Sequence, residues 1–235
     1  MNIVLDASSI PALSVVIPVL NEAQVLPELL AVLHQQISNS DYPLEVIFVD
    51  GGSTDNSRQL ICEQGFDCLQ SERGRARQLN IGAAAARADN LLFLHADSSI
   101  ADGGFEAVIV ALKNHLWGRF DVRISGDSWM FLVIAFCMNW RSRLTGIATG
   151  DQGIFVKRTT FEQLRGFPNQ ALMEDVALSA RLRKLSSPVC LALKINTSGR
   201  RWEKGGVWKT IFLMWRLRFM YWLGVSPSKL VKRYE

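Results

Sequence analysis

Paired cysteines, long apolar runs and a basic leader are all missing from this chain, and each absence excludes a class of protein. The four cysteines, at positions 62, 68, 137 and 190, form neither a C-x-x-C pair nor a metal-ligand spacing, which argues against a zinc module and suits a reducing compartment. The longest uncharged apolar run, from Ser128 to Trp140, falls well short of the roughly 20 residues of a membrane-spanning helix. No basic region precedes the first apolar residues, so we expect no signal peptide and a cytoplasmic protein.

Basic residues are concentrated at one end of the chain, although the net charge is only +4. Segment 200–235 carries nine Lys and Arg against two Glu, with aromatic residues interleaved at Trp208, Phe212, Trp215, Phe219, Tyr221 and Trp222. This pattern predicts an amphipathic helical segment over 201–235, which either packs on its own domain or lies on an anionic membrane. We expect packing first, with a peripheral contact of 207–233 at the inner face of the membrane as the alternative. Nucleic acid is not an expected partner, because the rest of the chain is not basic.

Short β-rich runs alternate with helical ones through the first half of the chain. We predict strands at 13–18, 44–50, 66–70 and 90–94, and helices at 25–36, 57–64 and 75–87. This alternation indicates an α/β fold with a mostly parallel sheet flanked by helices, which binds ligands at the carboxyl ends of its strands. No repeat or linker divides the sequence, so we expect one domain over 1–235.

Pro18, Asp50 and Asp97 stand at the carboxyl ends of three of these strands. The turn VDGGSTDNS needs its glycines to bend and its hydroxyl residues to cap a helix, but it does not need Asp50. A carboxylate there can accept hydrogen bonds from a base or ribose. The turn lacks the G-x-G-x-x-G pattern, so a dinucleotide site is not expected. In LFLHADS, Asp97 and His95 are either metal ligands or an ordinary polar end to a buried strand.

Two further segments carry charged residues with open interpretations. SERGRARQLNIGAAAA places Arg73, Arg75 and Arg77 around the start of a helix, where they either contact phosphate or form a solvated cluster. In GFPNQALMEDVALSARLRK, Glu174 and Asp175 fall in the first turn of a predicted helix, where the helix dipole alone would explain them.

Four motifs occur in a fixed order along the chain: VVIPVLNEA, VDGGSTD, LHADS and MEDV. Together, between Leu13 and about Tyr234, they resemble the bacterial family 2 glycosyltransferases of Rossmann-like GT-A fold. The further stretches WGRFDVR, GDQGIFV and RRW are similar to the subgroup known as arsenosugar-biosynthesis-type glycosyltransferases. The resemblance implies a nucleotide-binding half at 13–100 and an acceptor-side half at 101–200.

The resemblance also implies an inverting, metal-dependent transfer from a nucleoside-diphosphate sugar, with a UDP-sugar as first candidate, to an acceptor hydroxyl. Asp97 matches the last residue of the family's Asp-x-Asp motif, which holds Mn²⁺ or Mg²⁺, and His95 departs from that motif as either a ligand or a brace. Asp175 matches the general base, next to Glu174. The matching nucleotide contacts are Pro18, Asn21, Glu22, Asp50, Arg73, Arg77, Ala96 and Asp97.

The acceptor side is less closely defined, and we expect a glycan, a lipid or a small molecule there. The resemblance places Asp151, Gln152, Arg201 and Trp202 against the donor sugar or the acceptor. Gly51 departs from the family pattern, which leaves the identity of the donor's nucleobase open. Ser198 also departs from it, which argues against processive polymer synthesis. The apolar run 129–140 is expected to be a buried helix, or to line a groove for an apolar acceptor.

Two other functional classes compete with sugar transfer. A nucleotidyltransferase would need a glycine-rich phosphate loop after the first strand, where this chain has PVLNEA. A non-catalytic membrane-surface module would rest on the basic aromatic segment at the end of the chain.

Overall fold

The computed structural model describes residues 10–234, without the side chains of residues 201, 204 and 232–234. The strands of this part are β1 (Leu13–Val19), β2 (Leu44–Asp50), β3 (Asp67–Gln70), β4 (Asn90–Phe93), β5 (Ser98–Ile100), β6 (Trp117–Ser125), β7 (Phe155–Lys157) and β8 (Val189–Ser198). Its helices are α1 (Leu26–Asn39), α2 (Ser57–Glu63), α3 (Arg75–Ala85), α4 (Gly104–Asn114), α5 (Met130–Thr145), α6 (Arg158–Gln163), α7 (Glu174–Leu185), α8 (Arg200–Gly205), α9 (Val207–Trp222) and α10 (Pro227–Tyr234). A 3₁₀ turn spans Gly150–Gln152.

The strands form one sheet in the order β3-β2-β1-β4-β7-β6-β8-β5. Strands β1 to β4 pair in parallel, and every residue of β2 is buried, as expected for strands covered on both faces. Antiparallel pairs enter with β7 and β5, whereas β6 and β8 are parallel. The predicted α/β fold with a helix-flanked sheet is confirmed, and every antiparallel pair includes a strand from the second half of the chain.

Helices cover both faces of the sheet because the side chains of β1 alternate between two apolar clusters. Val15 and Ile17 lie in a cluster with residues of α1 and α4, whereas Val16 lies in a second cluster with residues of α3 and α7. A Cβ at Gly82 of α3 would lie 2.3 Å from a Val16 methyl group. The small residues of α3 therefore bring this helix close to the sheet.

The register of the first strands brings their carboxyl ends to one edge. Val19 at the end of β1 pairs with Asp50 at the end of β2, which in turn pairs with Gln70 at the end of β3. Behind this edge the buried side chain of Gln78 donates to the carbonyl oxygens of Val19 and Val49, at 2.9 and 2.8 Å. The edge that positions the site is therefore fixed by both backbone and side-chain hydrogen bonds.

The apolar run 129–140 forms most of α5, and the prediction that this helix is buried is wrong for one of its faces. Phe131, Ile134 and Ala135 are buried, but Phe136 and Trp140 are exposed. Helix α9 is also two-sided, since Thr210 and Leu217 are buried beneath a row of exposed aromatic side chains. Within residues 10–234, no helix combines the length and the apolar composition that crossing a bilayer requires.

Candidate functional site

A cavity of about 510 Å³ opens at the carboxyl edge of the sheet. Its wall combines the loops after β1 and β4, the 3₁₀ turn, the start of α7 and the segment from the end of β8 into α9. The predicted site residues that line it are Pro18, Glu22, His95, Ala96, Asp97, Asp151, Glu174, Asp175 and Trp202. Residues from distant parts of the sequence thus meet at one cavity, where parallel sheets usually bind ligands.

Asn21 supports this edge through other contacts. Its backbone lies in the left-handed region at φ 56°, and its side-chain oxygen accepts a hydrogen bond from the Thr54 backbone at 2.8 Å. Its own N–H donates to Ser53 Oγ at 2.9 Å, and the Glu22 N–H donates to Ser57 Oγ at 2.8 Å. These bonds hold the loop after β1 against the loop after β2.

Asp50 lies in a second hollow of about 260 Å³, which it shares with Gly52, Gln70, Ser71 and Glu72. Its carboxylate is buried and accepts hydrogen bonds from the backbone of Gly52 and Ser53, each at 3.2 Å. A Cβ at Gly51 would lie 2.9 Å from the Gln78 side chain. This contact gives a structural reason for glycine at the position where the sequence departs from the family pattern.

The carboxylates of Glu22 and Asp97 lie on one side of the cavity. Burial raises the pKa of Glu22, and the nearby Asp97 carboxylate raises it further, while Arg200, 3.7 Å from Glu22, opposes the shift. Asp97 therefore has a second carboxylate close at hand. Hard cations such as Mg²⁺ and Mn²⁺ prefer such oxygen ligands.

His95 is two residues before Asp97 in the sequence, and its side chain contacts Asp151 of the 3₁₀ turn. Its Nδ1 is 3.4 Å from Asp151 Oδ1. Burial alone would raise the pKa of Asp151, but the hydrogen bond and charge of His95, together with Arg75 and Arg218, lower it to about 2. A Cβ at Gly150 would lie 2.4 Å from His95 Nε2, so the close approach of the turn to the imidazole depends on glycine.

The predicted catalytic pair opens α7 at another part of the cavity wall. Asp175 accepts backbone hydrogen bonds on both oxygens, from Gly150 at 2.6 Å and from Val176 at 2.7 Å. Burial and the neighbouring Asp175 charge raise the pKa of Glu174, and Arg75, 3.6 Å away, opposes this shift. The two neighbours therefore differ: Glu174 is buried against an arginine, whereas Asp175 is oriented by N–H groups at the cavity surface.

The arginine cluster is arranged differently from the prediction. Arg75 lines the cavity, whereas Arg77 pairs with Glu72 and lies 3.4 Å from Asn169 Oδ1. Neither Arg73 nor Arg77 is among the described residues lining the cavity. The side chains of α3 point in different directions, and spacing alone did not distinguish them.

Three predicted acceptor-side residues have different outcomes. Trp202 lines the cavity and packs against an apolar cluster beneath α5. Gln152 is fully buried and caps the 3₁₀ turn through Thr149, so the structure does not place it in the cavity. The side chain of Arg201 lies outside the described residues.

Sequence reasoning missed two cavity arginines, Arg200 and Arg218. Arg218 follows Thr210 and Met214 at intervals of four along α9, and all three line the cavity. That i, i+4, i+8 spacing was a signal for one helical face, but the more numerous aromatic residues of the segment masked it.

A preformed metal centre is not evident among residues 10–234, since no cluster of three or more His, Cys, Asp or Glu side chains has metal-binding geometry. The residues present nonetheless fit a cation that a ligand helps to hold. Mg²⁺ in particular is commonly bound through one or two carboxylates together with substrate phosphates. Asp97, with Glu22 or His95 nearby, provides such a partial set.

The solved structures similar to this chain carry the same architecture. TarS of S. aureus superposes with a TM-score of 0.61 over 80% of this chain and 60% of the other, at 18% identity. The mannosyltransferase PcManGT from Pyrobaculum calidifontis, solved with GDP-Man and Mn²⁺, gives 0.59 over 80% and 57%, at 22% identity. Glucosyl-3-phosphoglycerate synthase from Mycobacterium tuberculosis, solved with Mn²⁺ and UDP, gives 0.55 over 78% and 70%, at 17% identity. These similarities confirm the GT-A fold.

Comparison by sequence points in the same direction. The undecaprenyl-phosphate 4-deoxy-4-formamido-L-arabinose transferase of Salmonella choleraesuis (strain SC-B67) is 28% identical over 171 residues, which cover 65% of this chain and 50% of that protein. The chain thus matches about half the length of this curated relative. The model of the family described as Glycosyl transferase family 2 matches residues 14–172, more than half of the chain. With residues from three of the four motifs lining one cavity of a GT-A fold, the chain belongs to glycosyl transferase family 2.

Proposed function

We propose that this protein transfers a sugar from a nucleoside-diphosphate sugar to an acceptor hydroxyl by a single inverting displacement. The observation that carries the proposal is the position of Asp97 and Asp175, which come from opposite halves of the chain and line one cavity. One carboxylate is available for the leaving group's cation and the other for the acceptor. Transfer by direct displacement needs both functions within reach of the same sugar.

The donor would occupy both the main cavity and the hollow at Asp50, which lie at the carboxyl ends of neighbouring strands. Asp50, with its oxygens already turned towards N–H donors of the loop, offers acceptor atoms to a base or ribose in the smaller hollow. Pro18, Ala96 and Asp97 line the route to the diphosphate, and Arg75 supplies positive charge there. Similar structures contain UDP, UDP-GlcNAc or GDP-Man, and a UDP-sugar remains our first candidate.

A bound Mn²⁺ or Mg²⁺ would neutralise the negative charge that develops on the departing diphosphate. Asp97 would hold the ion, with Glu22 or His95 as a second ligand. The contact between His95 and Asp151 also allows His95 to act as a brace for the turn that carries Asp151.

Asp175 is our candidate for the general base. Its two backbone hydrogen bonds fix the carboxylate in place. The entropy cost of ordering the side chain is therefore already met before an acceptor hydroxyl binds. Buried Glu174 would keep Arg75 in position through their ion pair. Asp151 and Trp202 line the remaining wall, where a polar group and an aromatic ring suit sugar hydroxyls and a sugar face.

The cellular setting forms part of the same proposal. We place the protein in the cytoplasm, at the inner face of the membrane, with segment 207–233 as a peripheral contact. Its motifs WGRFDVR, GDQGIFV and RRW support membership of the arsenosugar-type subgroup; they leave the acceptor open among glycans, lipids and small molecules.

Calorimetric titration of UDP, GDP and dTDP tests the donor site. Each nucleotide is titrated with Mn²⁺ and with a chelator into the wild type, Asp97→Asn and Asp102→Asn. Asp102 is an exposed carboxylate five residues further along, so it controls for loss of charge alone. We expect metal-dependent binding of one nucleotide that only Asp97→Asn abolishes. Binding that survives in Asp97→Asn would remove the carboxylate from its proposed role.

Asp175→Asn tests the base separately. This variant should bind the nucleotide like the wild type, because Asp175 contributes to the acceptor side. We then measure the turnover of the nucleotide sugar whose nucleotide binds in the titration. This rate should fall by roughly 10²–10⁴-fold in the variant, which is the usual contribution of a positioned general base. Nucleotide release at the wild-type rate from Asp175→Asn would assign the base to another residue.

A further inference from the structure

A row of aromatic side chains runs along the outer face of α9. Trp208, Phe212, Trp215, Phe219 and Trp222 follow one another at alternating intervals of four and three residues, and each is between 59% and 78% exposed. This spacing places them on one helical face. The opposite face is used, since Leu217 packs in an apolar cluster with Met173 and Leu230.

Helix α5 carries a second exposed apolar face, which the sequence did not predict. Trp129, Leu132, Val133, Phe136, Trp140 and Leu144 are between 42% and 75% exposed. Five of the seven tryptophans of the protein lie in these two exposed sets. Contiguous exposed apolar surface of this kind marks an interaction site rather than ordinary surface variation.

The two helices are neighbours on the protein. Residues Phe131 and Ile134 of α5 and Val207 and Ile211 of α9 belong to one apolar cluster. Further along, Arg218 of α9 is close enough to Arg141 of α5 for the two positive charges to repel. Burial of Arg141 and this repulsion lower the pKa of Arg141 to about 10. The inner faces of both helices line the main cavity, through Met138 of α5 and through Met214 and Arg218 of α9.

The charged residues of the two helices themselves are all basic. Asp and Glu are absent from residues 128–148 and from 204–234, and Lys209 and Arg216 stand beside the exposed aromatic residues of α9, whereas Arg143 of α5 is paired with Asp121 of β6. Pairing two copies of this surface would bring like charges together. An anionic lipid surface is complementary to it, and tryptophan, with an apolar body and a polar N–H, suits the boundary between lipid and water.

We propose that the outer faces of α5 and α9 together form one docking surface for an anionic lipid bilayer. This inference deepens the peripheral contact of segment 207–233 by adding a second helix, from the middle of the chain. The docking surface itself does not depend on the proposed function. Only one consequence rests on that function: the wall of the sugar-transfer cavity made by the same two helices would lie next to the lipid headgroups. Neither helix needs to span the membrane, because each would lie in the interface.

Vesicle co-sedimentation tests the surface helix by helix. The probes are vesicles of phosphatidylcholine alone and of phosphatidylcholine mixed with phosphatidylglycerol. Two double variants, Phe136→Gln with Trp140→Gln on α5 and Trp215→Gln with Phe219→Gln on α9, are compared with Val110→Gln with Leu185→Gln. The last pair removes exposed apolar side chains from α4 and α7 and serves as the matched control.

We expect the wild type and the control pair to bind the anionic vesicles, with binding weakened by salt. Each of the other pairs should weaken the partition by on the order of tenfold or more, because two aromatic rings are withheld from the lipid. Unchanged binding by the α5 variant would overturn the two-helix surface. Concentration-dependent dimers of the wild type that both variants abolish, without vesicle binding, would assign the surface to a second copy and overturn the proposal.

Nucleotide titration of the same variants separates this inference from the proposed function. All three double variants should bind the nucleotide with Mn²⁺ like the wild type, since the substituted side chains point away from the cavity. If the wild type binds vesicles but no nucleotide, sugar transfer fails and the docking surface stands. If the wild type binds the nucleotide but no vesicles, the docking surface is refuted and the proposed donor site stands.

Discussion

Replacing Asp121 by asparagine tests how α5 is held against β6. Arg119 of β6 is fully buried, and its guanidinium donates to the Asp121 carboxylate, to Phe120 O at 3.0 Å and to Asn139 O at 3.1 Å. Arg143 of α5 approaches the same carboxylate from the surface, with two hydrogen bonds of 2.6 and 2.8 Å. One carboxylate therefore serves a buried cation and a partly exposed one.

We predict different losses of stability for substitutions of Asp121 and of Arg143. An asparagine side chain is nearly isosteric with that of aspartate but neutral, so in Asp121→Asn the Arg119 guanidinium keeps a buried charge without its counterion, which costs about 3–5 kcal/mol. The substitution Arg143→Gln removes the partly exposed arginine and should cost at most about 1 kcal/mol. For a protein of this size about 2–4 °C of Tm is lost per kcal/mol. We therefore expect Tm to fall by roughly 6–20 °C for Asp121→Asn and by no more than about 4 °C for Arg143→Gln.

Thermal unfolding followed by circular dichroism measures both variants, and its pH dependence provides a second check. Burial alone would raise the pKa of Asp121, but Arg143 and Arg119 outweigh it and hold the pKa below its ordinary value of 3.8. The stabilisation is therefore complete above that value and is lost as the pH falls through the lowered pKa. The gap between wild type and Asp121→Asn should narrow in acid. Equal losses for the two variants, or a gap independent of pH, would refute the reasoning.

Three other substitutions test the supports of the site. Gly150→Ala would place a Cβ 2.4 Å from His95 Nε2 and should lower the rate of sugar-donor turnover by roughly 10²-fold through misplacement of the turn. Gln78→Leu would leave two buried strand-end carbonyls unpaired and should destabilise the protein to urea by about 1–3 kcal/mol for each. Burial of Glu45 is outweighed by its hydrogen bonds from Arg87, so its pKa lies below the ordinary 4.5; Glu45→Gln should reduce the loss of stability measured as pH falls below that value.

Each of these substitutions has a control in the same class. Gly103→Ala alters a backbone at positive φ where nothing lies within 4 Å, so it should lower stability without a specific loss of turnover. Gln35→Leu and Glu28→Gln change exposed side chains of α1, and each should leave unfolding nearly unchanged. A control that behaved like its test variant would show that the predicted contact is not responsible.

The first half of the fold followed from periodicity because its strands and helices are locally encoded. Strand β2 begins and ends as predicted at Leu44 and Asp50, and α3 begins at Arg75. The predicted start of α1 at residue 25 and of β3 at residue 66 each differ by one residue, within the usual ambiguity of element ends. Buried apolar runs, glycine turns and small-residue helices were sufficient information for this part.

The site was predictable where a residue ends a strand or opens a helix, and less so where side-chain direction decides. Asp97 and Asp175 meet at the cavity as their motifs implied. Arg75 rather than Arg77 faces it, because side chains two residues apart on a helix point about 200° away from one another. Gln152 turns inward to cap its own 3₁₀ turn, a local hydrogen bond that competes with any ligand.

The exposed face of α5 could not be read from the sequence for a different reason. The helix is apolar on nearly all sides, and such helices are normally buried. Which face the remainder of the protein covers depends on β6 and α9, which are brought beside α5 only by the complete fold.

Sheet order also sets the sequence of events during synthesis. Strands β1 to β4 can pair with one another once residue 93 has emerged, because these parallel pairings need no later strand, whereas the other edge of β4 waits for β7. Strand β5, directly after Asp97, pairs with β8, so that Ser98 waits for Thr197. A nascent chain can therefore shape its first loops early, while the edge beside Asp97 gains its partner strand only after residue 197 has been synthesised. Incomplete chains would expose the carboxylates of the site without the wall that gives them a common ligand.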